Sequence, residues 1–116
     1  MQFLLMTVDF VRIEARVAFL RTDEGGRSCP IRGAGSFRPN HNFFGPDDRE
    51  MCIGSIELIA GEEVHPGDTV RKIVTFVSSP IVVSEVQEGR TWRIQEGPHL
   101  IAIGTVLRIL DSPSGV

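Results

Sequence analysis

A chain of 116 residues and 12.8 kDa holds one domain around one core and has no room for two. Its 41% hydrophobic and 23% charged residues are close to soluble globular averages and suggest neither a disordered polymer nor a membrane span. A formal charge of -3 with a pI near 5.6 excludes a protein that coats nucleic acid through net charge alone. The basic residues are 11 Arg and the single Lys72, so a Walker loop, a Schiff base or a lysine-linked cofactor would all have to use that one side chain. Val, Ile and Thr supply 29 residues against five Ala, and branched Cβ atoms suit a pleated surface better than a helix.

The elements follow in chain order. Met1 to Val8 is apolar, but it lacks a basic leader and breaks at Asp9, so neither an export signal nor a span is expected. With only Cys29 and Cys52, the expectation is reduced thiols in a soluble cytoplasmic protein. From Val11 to Phe19 every second residue is apolar, with Arg12, Glu14 and Arg16 between, which predicts a strand with one face in water. Ile53 to Ile59 and the β-branched Thr69 to Val77 predict two more. Arg90 to Gln95 sets Thr91, Arg93 and Gln95 on one face against Trp92 and Ile94 on the other. Leu100 to Leu110 is a long apolar strand in which Gly104 marks a bulge or a close backbone approach. Asp111 to Val116 reads as a frayed tail. Helical spacing occurs nowhere over a useful length.

Turn chemistry at Glu24-Gly25-Gly26, His65-Pro66-Gly67-Asp68, Glu88-Gly89 and Glu96-Gly97-Pro98 separates these runs. Five or six short strands divided in this way predict an antiparallel barrel or sandwich. The stretch from Gly25 to Phe44 breaks the pattern and reads as a long loop. It holds Arg27, Arg32 and Arg38 and no acid, so it carries +3 while the remainder carries -6. Loops of that length are uncommon unless functional or mobile, so this one is the first place to look for a partner surface.

Other constellations carry less. His41, His65 and His99 have no metal-ligand spacing with Cys29 or Cys52, so no metal is expected. Around Ser28, Pro30 stands where a nucleophile elbow needs glycine. Asp47-Asp48 and Glu62-Glu63 read as solvated acids. Phe43-Phe44 and Trp92 read as core, with the indole N–H satisfied.

Taken together, Asp23-Glu24-Gly25-Gly26-Arg27, Arg38-Pro39, Pro66-Gly67-Asp68, Pro80-Ile81 and Glu96-Gly97 resemble the C-terminal domain of elongation factor Tu, over about Phe10 to Leu110. The resemblance implies a six-stranded antiparallel β-barrel. In that family the barrel packs on the GTPase domain, helps hold the T-stem of aminoacyl-tRNA and meets the nucleotide-exchange partner. By the same likeness Arg27 would contact the tRNA backbone, Glu96 and Gly97 would form a second tRNA-contacting turn, and Asn40 would replace a glutamine. The chain departs from the pattern at Phe44-Gly45-Pro46, where the family has an arginine and two threonines, and at Pro98-His99, where it has a glycine and an arginine. Two extra residues within Ala34-Gly35-Ser36-Phe37 precede Arg38. No phosphate-binding loop or guanine-reading motif is present, so no GTP site and no other cofactor are expected.

Two functions follow as expectations. One is a non-catalytic binding module that meets tRNA or a translation protein through Arg27, Arg32, Arg38, Asn40 and the Glu96-Gly97 turn. The other is a structural or protein-interaction barrel whose RNA surface has been lost. No residue set supplies a nucleophile with its base, so an enzyme is not expected; no membrane partner is expected either, and a homodimer is compatible with the sequence.

Overall fold

A computed structural model describes residues 9–33 and 35–112. Met1 to Val8, Ala34 and residues 113–116 of the expected tail therefore lie outside the described residues. The strands are β1 (Phe10–Phe19), β2 (Ile31–Arg32), β3 (Gly35–Phe37), β4 (Asn40–Asn42), β5 (Cys52–Leu58), β6 (Glu63–Val64), β7 (Thr69–Val77), β8 (Thr91–Glu96) and β9 (His99–Asp111). A short helix, α1 (Pro80–Glu85), joins β7 to β8.

Every pairing is antiparallel, and the ring closes. β1 lies between β7 and β9, β9 pairs with β8, β8 with β4, β4 with β5, and β5 returns to β7 through Gly54↔Phe76, Ser55↔Thr75 and Ile56↔Val74. β3 and β4 flank the same strand, β5, and together act as one barrel strand interrupted at Arg38-Pro39. Pro39 has no N–H to give a ladder, which accounts for the break. The result is a six-stranded closed antiparallel β-barrel, with β2 and β6 forming a separate ribbon. Closure removes free strand edges, so every long strand finds backbone partners on both sides.

Alternation places the core as expected in β1, where Val11, Ile13, Ala15, Val17 and Phe19 are buried. The stretch from Gly25 to Phe44 is not the structureless loop its composition predicts, because it contributes β2, β3 and β4. Gln95 keeps its expected face, since Arg93, two residues before it, donates to it at 2.9 Å. It is nonetheless fully buried, because Asn42 and the Gly45 loop that Asn42 holds cover that face. The β8–β9 register skips Ile101 between Ile94↔Ala102 and Gln95↔Leu100, and this bulge in β9 lets the successive Ile101 and Ala102 both be buried. Further skips at Leu107 and Leu110 bend β9 against β1. Asp111 belongs to β9 and not to a frayed tail, since its carboxylate accepts from Arg12 at 2.6 Å.

The helix α1 was invisible to periodicity because it is only six residues long and β-branched. Ser79 caps it by accepting from the Val82 N–H at 3.2 Å, and Pro80 stands in its first turn, where no N–H is needed. Burial of Val82 and Val86 holds it to the barrel. Arg90 ties it down further, donating to Glu85 at 2.8 Å and to the Phe43 carbonyl.

At the barrel's centre Trp92 stacks on Phe43 with ring centroids 5.7 Å apart, and His41 meets Phe76 edge-on at 5.0 Å. The Trp92 indole N–H donates to His41 Nδ1 at 3.0 Å. Gly104 is the close approach anticipated from sequence, and not one of the bulges: a Cβ there would lie 2.6 Å from the Trp92 ring. Gly104→Ala is therefore expected to cost about 1–3 kcal/mol, read as a lowered urea midpoint, because the ring has no free volume to enter.

His41 is completely buried, and burial pushes its pKa down to about 4 from 6.5, only partly offset by the Gly54 backbone. No well-formed hydrogen bond reaches its Nε2. The folded protein thus holds a neutral imidazole, whereas the unfolded chain takes up a proton below about pH 6.5. Stability is complete above that value and is lost as pH falls through the folded pKa, by about 3 kcal/mol in all. Urea denaturation from about pH 7 to about pH 4 is expected to show this one-proton slope in the wild type minus His41→Gln difference. A difference independent of pH would contradict a buried neutral histidine.

Candidate functional site

The six residues singled out by sequence fall at three places. Arg27 follows a 3-10 turn, Thr22–Glu24, that closes when the Arg21 N–H donates to Glu24 at 2.8 Å. Thr22 Oγ1 then donates to the Arg27 carbonyl at 2.7 Å, and Arg27 Nε donates to the Cys29 carbonyl at 3.1 Å. So held, Arg27 makes an ion pair with Glu96 across a hollow of about 250 Å³ that also takes in Ser28, Cys29 and His99. His99 Nε2–H donates to the Gly25 carbonyl, which commits that nitrogen to the turn. Ser28 Oγ and Cys29 Sγ stand 3.8 Å apart there.

Next to it, Gly97 forms the two-residue β8–β9 turn with Pro98, at a φ of +58° that favours glycine. Asn40 and Gly97 line a second hollow, of about 370 Å³, with Asp47, Asp48 and Arg49. Thus Arg27, Asn40, Glu96 and Gly97 do gather around one turn. Their surroundings are not basic: Arg27 and Arg49 face three carboxylates, those of Glu96, Asp47 and Asp48. Such a surface repels phosphate more than it attracts it.

Beneath this turn lies a polar network that sequence reasoning missed. Asn42 and Gln95 are fully buried, and the Asn42 amide donates to Gln95 at 3.0 Å and to the Gly45 carbonyl at 2.8 Å. Gln95 also accepts from Arg93 at 2.9 Å and donates to the Gly97 carbonyl at 3.1 Å. Asn42 Oδ1 accepts the Phe44 N–H at 2.9 Å. A satisfied network of this kind fixes both the β8–β9 turn and the Phe44-Gly45-Pro46 loop. Phe43 is core as expected, but Phe44 is not, being 49% exposed.

Arg32 lies apart on the β2–β6 ribbon, where it pairs with Glu63 at 3.3 Å. Lys72, the single lysine, is turned to a structural task. It pairs with Glu62, whose carboxylate also accepts the Ile59 N–H at 2.6 Å, and the Lys72 hydrogen bond holds that carboxyl below its ordinary pKa.

Arg38 differs from the other two arginines of its segment, since it has no ion pair among the described residues. It lines a groove of about 220 Å³ with Phe10, Ile53, Thr75 and Val77. Phe10 is 48% and Ile53 70% exposed. Phe10, Ile53 and Val77 occupy the outward phase of β1, β5 and β7, alternating with the buried Val11, Cys52 and Phe76. Apolar residues on an outward phase were the available sequence signal for this groove. A second hollow, lined by Met51 and Ser79, continues it past Ile53 and Val77.

Among the described residues no group of three His, Cys, Asp or Glu side chains is placed to hold a metal, and no helix is long and apolar enough to cross a membrane. No model of a known protein family matches the chain.

The Arg27–Glu96 pair is part-buried, with side chains 25% and 37% exposed. A double-mutant cycle with Arg27→Ala and Glu96→Ala is expected to give a coupling of about 0.5–1 kcal/mol that shrinks as salt is added. Zero coupling at low salt would show that the two side chains do not hold one another.

Proposed function

We propose that this barrel is a non-catalytic protein-interaction module whose docking surface is the groove between β1, β5 and β7. The observation that carries the reading is the combination in one place of an arginine with no ion pair among the described residues, Arg38, with the exposed apolar side chains of Phe10 and Ile53 and the half-buried Val77. Isolated surface apolar residues are ordinary, whereas a contiguous apolar strip beside a free guanidinium has the composition of an interface core and its anchor. The occupant that fits is a protein segment bearing an apolar side chain next to a carboxylate: the apolar group covers Ile53 and the carboxylate meets the Arg38 fork. The resemblance to the C-terminal barrel of elongation factor Tu favours a partner from translation.

A second reading, contact with tRNA at the β8–β9 turn, is supported by the gathering of Arg27, Asn40, Glu96 and Gly97 there. The carboxylates around that turn weigh against it.

The two readings separate by experiment. Random displayed peptides selected on the wild-type protein are expected to pair Asp or Glu with Leu, Ile or Phe. Ile53→Asp and Arg38→Glu should each weaken those peptides by about tenfold or more. Peptides that bind Ile53→Asp as well as wild type would remove the groove from consideration. Binding of tRNA that disappears with Arg27→Ala would establish the second reading in its place.

A further inference from the structure

A second surface emerges on the opposite phase of β1 from the core. Strand pairing places Arg71 of β7, Arg16 of β1 and Thr105 of β9 side by side, and Thr91 of β8 extends the same row. One step along β1, Glu14 lies opposite Arg108. Glu14 accepts from Arg108 at 2.9 Å and is 3.9 Å from Arg71. Arg12 is answered by Asp111. Arg16 is exposed and has no ion pair among the described residues. Four arginines thus share this face with two carboxylates, while the chain as a whole carries -3. Charges farther away than roughly 10 Å are screened at ordinary ionic strength, so the local excess decides what binds.

The pairing of Arg16 with Arg71 is the unusual feature. Like charges placed directly opposite across a ladder oppose folding, and here neither is fully neutralised by a neighbour. An anion lying between the two guanidinium groups would turn that repulsion into two bidentate contacts. Neighbouring strands are about 4.8 Å apart, so the row from Arg71 to Thr91 spans roughly 14 Å. A row of that length suits successive phosphates of a chain better than one free ion. It carries no aromatic side chain on which a base could stack, so contact would be with the backbone and without sequence preference. The Thr91 and Thr105 hydroxyls, which donate and accept, match the ribose 2′-OH.

We propose that the outward face of β7, β1, β9 and β8 binds the phosphate backbone of single-stranded RNA through Arg16, Arg71 and Arg108. This site shares no residue with the groove at Arg38, so the barrel can hold RNA on one face and a protein segment on another.

The probe is a fluorescein-labelled oligouridylate titrated by anisotropy across a salt series. Three phosphate contacts predict a log–log salt slope of about -2, falling to about -0.7 in the Arg16→Gln/Arg71→Gln double variant. The double variant is also expected to weaken binding by about tenfold or more at low salt, and Arg16→Gln alone to raise the melting temperature by about 1–4 °C. Ile53→Asp and Arg32→Gln should leave RNA binding unchanged, which separates this proposal from the groove. It is overturned if the oligouridylate does not bind at low salt, or binds the double variant as well as wild type. It is equally overturned if inorganic phosphate competes at concentrations as low as the RNA itself does. Binding to phosphatidylserine vesicles without binding to RNA, abolished by the double variant, would assign the face to a membrane and overturn it as well.

Discussion

The hydrogen bond from Trp92 to His41 sits where the barrel is closed. His41 comes from β4, Trp92 from β8 and Phe76 from β7, while Gly54 of β5 and Gly104 of β9 leave the space these rings fill. Five of the six barrel strands therefore meet at one cluster. A buried indole N–H must have an acceptor, and a neutral imidazole supplies one at the cost of an Nε2 left without a good partner. Each ring fixes the position of the next, so the backbone glycines cannot be replaced without moving the aromatic layer.

Around this apolar centre the charges are arranged to cancel locally. Arg27 meets Glu96, Arg32 meets Glu63, Lys72 meets Glu62 and Arg12 meets Asp111. Most of these pairs join segments far apart in sequence, and they convert what reads as a basic stretch into a nearly neutral surface. The cations left over are consequently informative. Among the described residues Arg38 has no ion pair and lies beside an apolar groove, and Arg16 has none and lies beside another arginine. Neither arrangement helps folding: exposed apolar area and opposed like charges both work against it. Features that persist against stability are where binding is best sought.

A single small barrel can in this way present two chemically distinct faces. The strands alternate, so exposed outward positions on β1, β5, β7, β8 and β9 can meet a partner without disturbing the core. The groove takes up the Phe10, Ile53 and Val77 ends of β1, β5 and β7, while the Arg16–Arg71 row lies farther along β1 and β7. Phe10 and Arg16 are on the same strand and the same phase, three outward positions apart. Strand register alone keeps the two surfaces separate.

Much of the barrel was legible in the sequence because alternation is a local property. Val11 to Phe19 fixes its own inward face with no knowledge of its neighbours, and Gly104 announces a close approach because a strand interior otherwise disfavours glycine. The local rule failed where another segment intervened: Gln95 is buried on its outward face because Asn42 and the Gly45 loop cover it. Ile101 and Ala102 are both buried because β9 bulges, and β2, β3 and β4 are too short to show a period. The functional surfaces were harder to read for the same reason. Arg27 and Glu96 are 69 residues apart, and no local pattern reveals that they neutralise one another. The sequence by itself determined the antiparallel, strand-built core and the absence of a Lys-based phosphate loop. Only the tertiary structure decided which arginines are free, because ion pairing depends on distances across the sheet that periodicity along the chain does not encode.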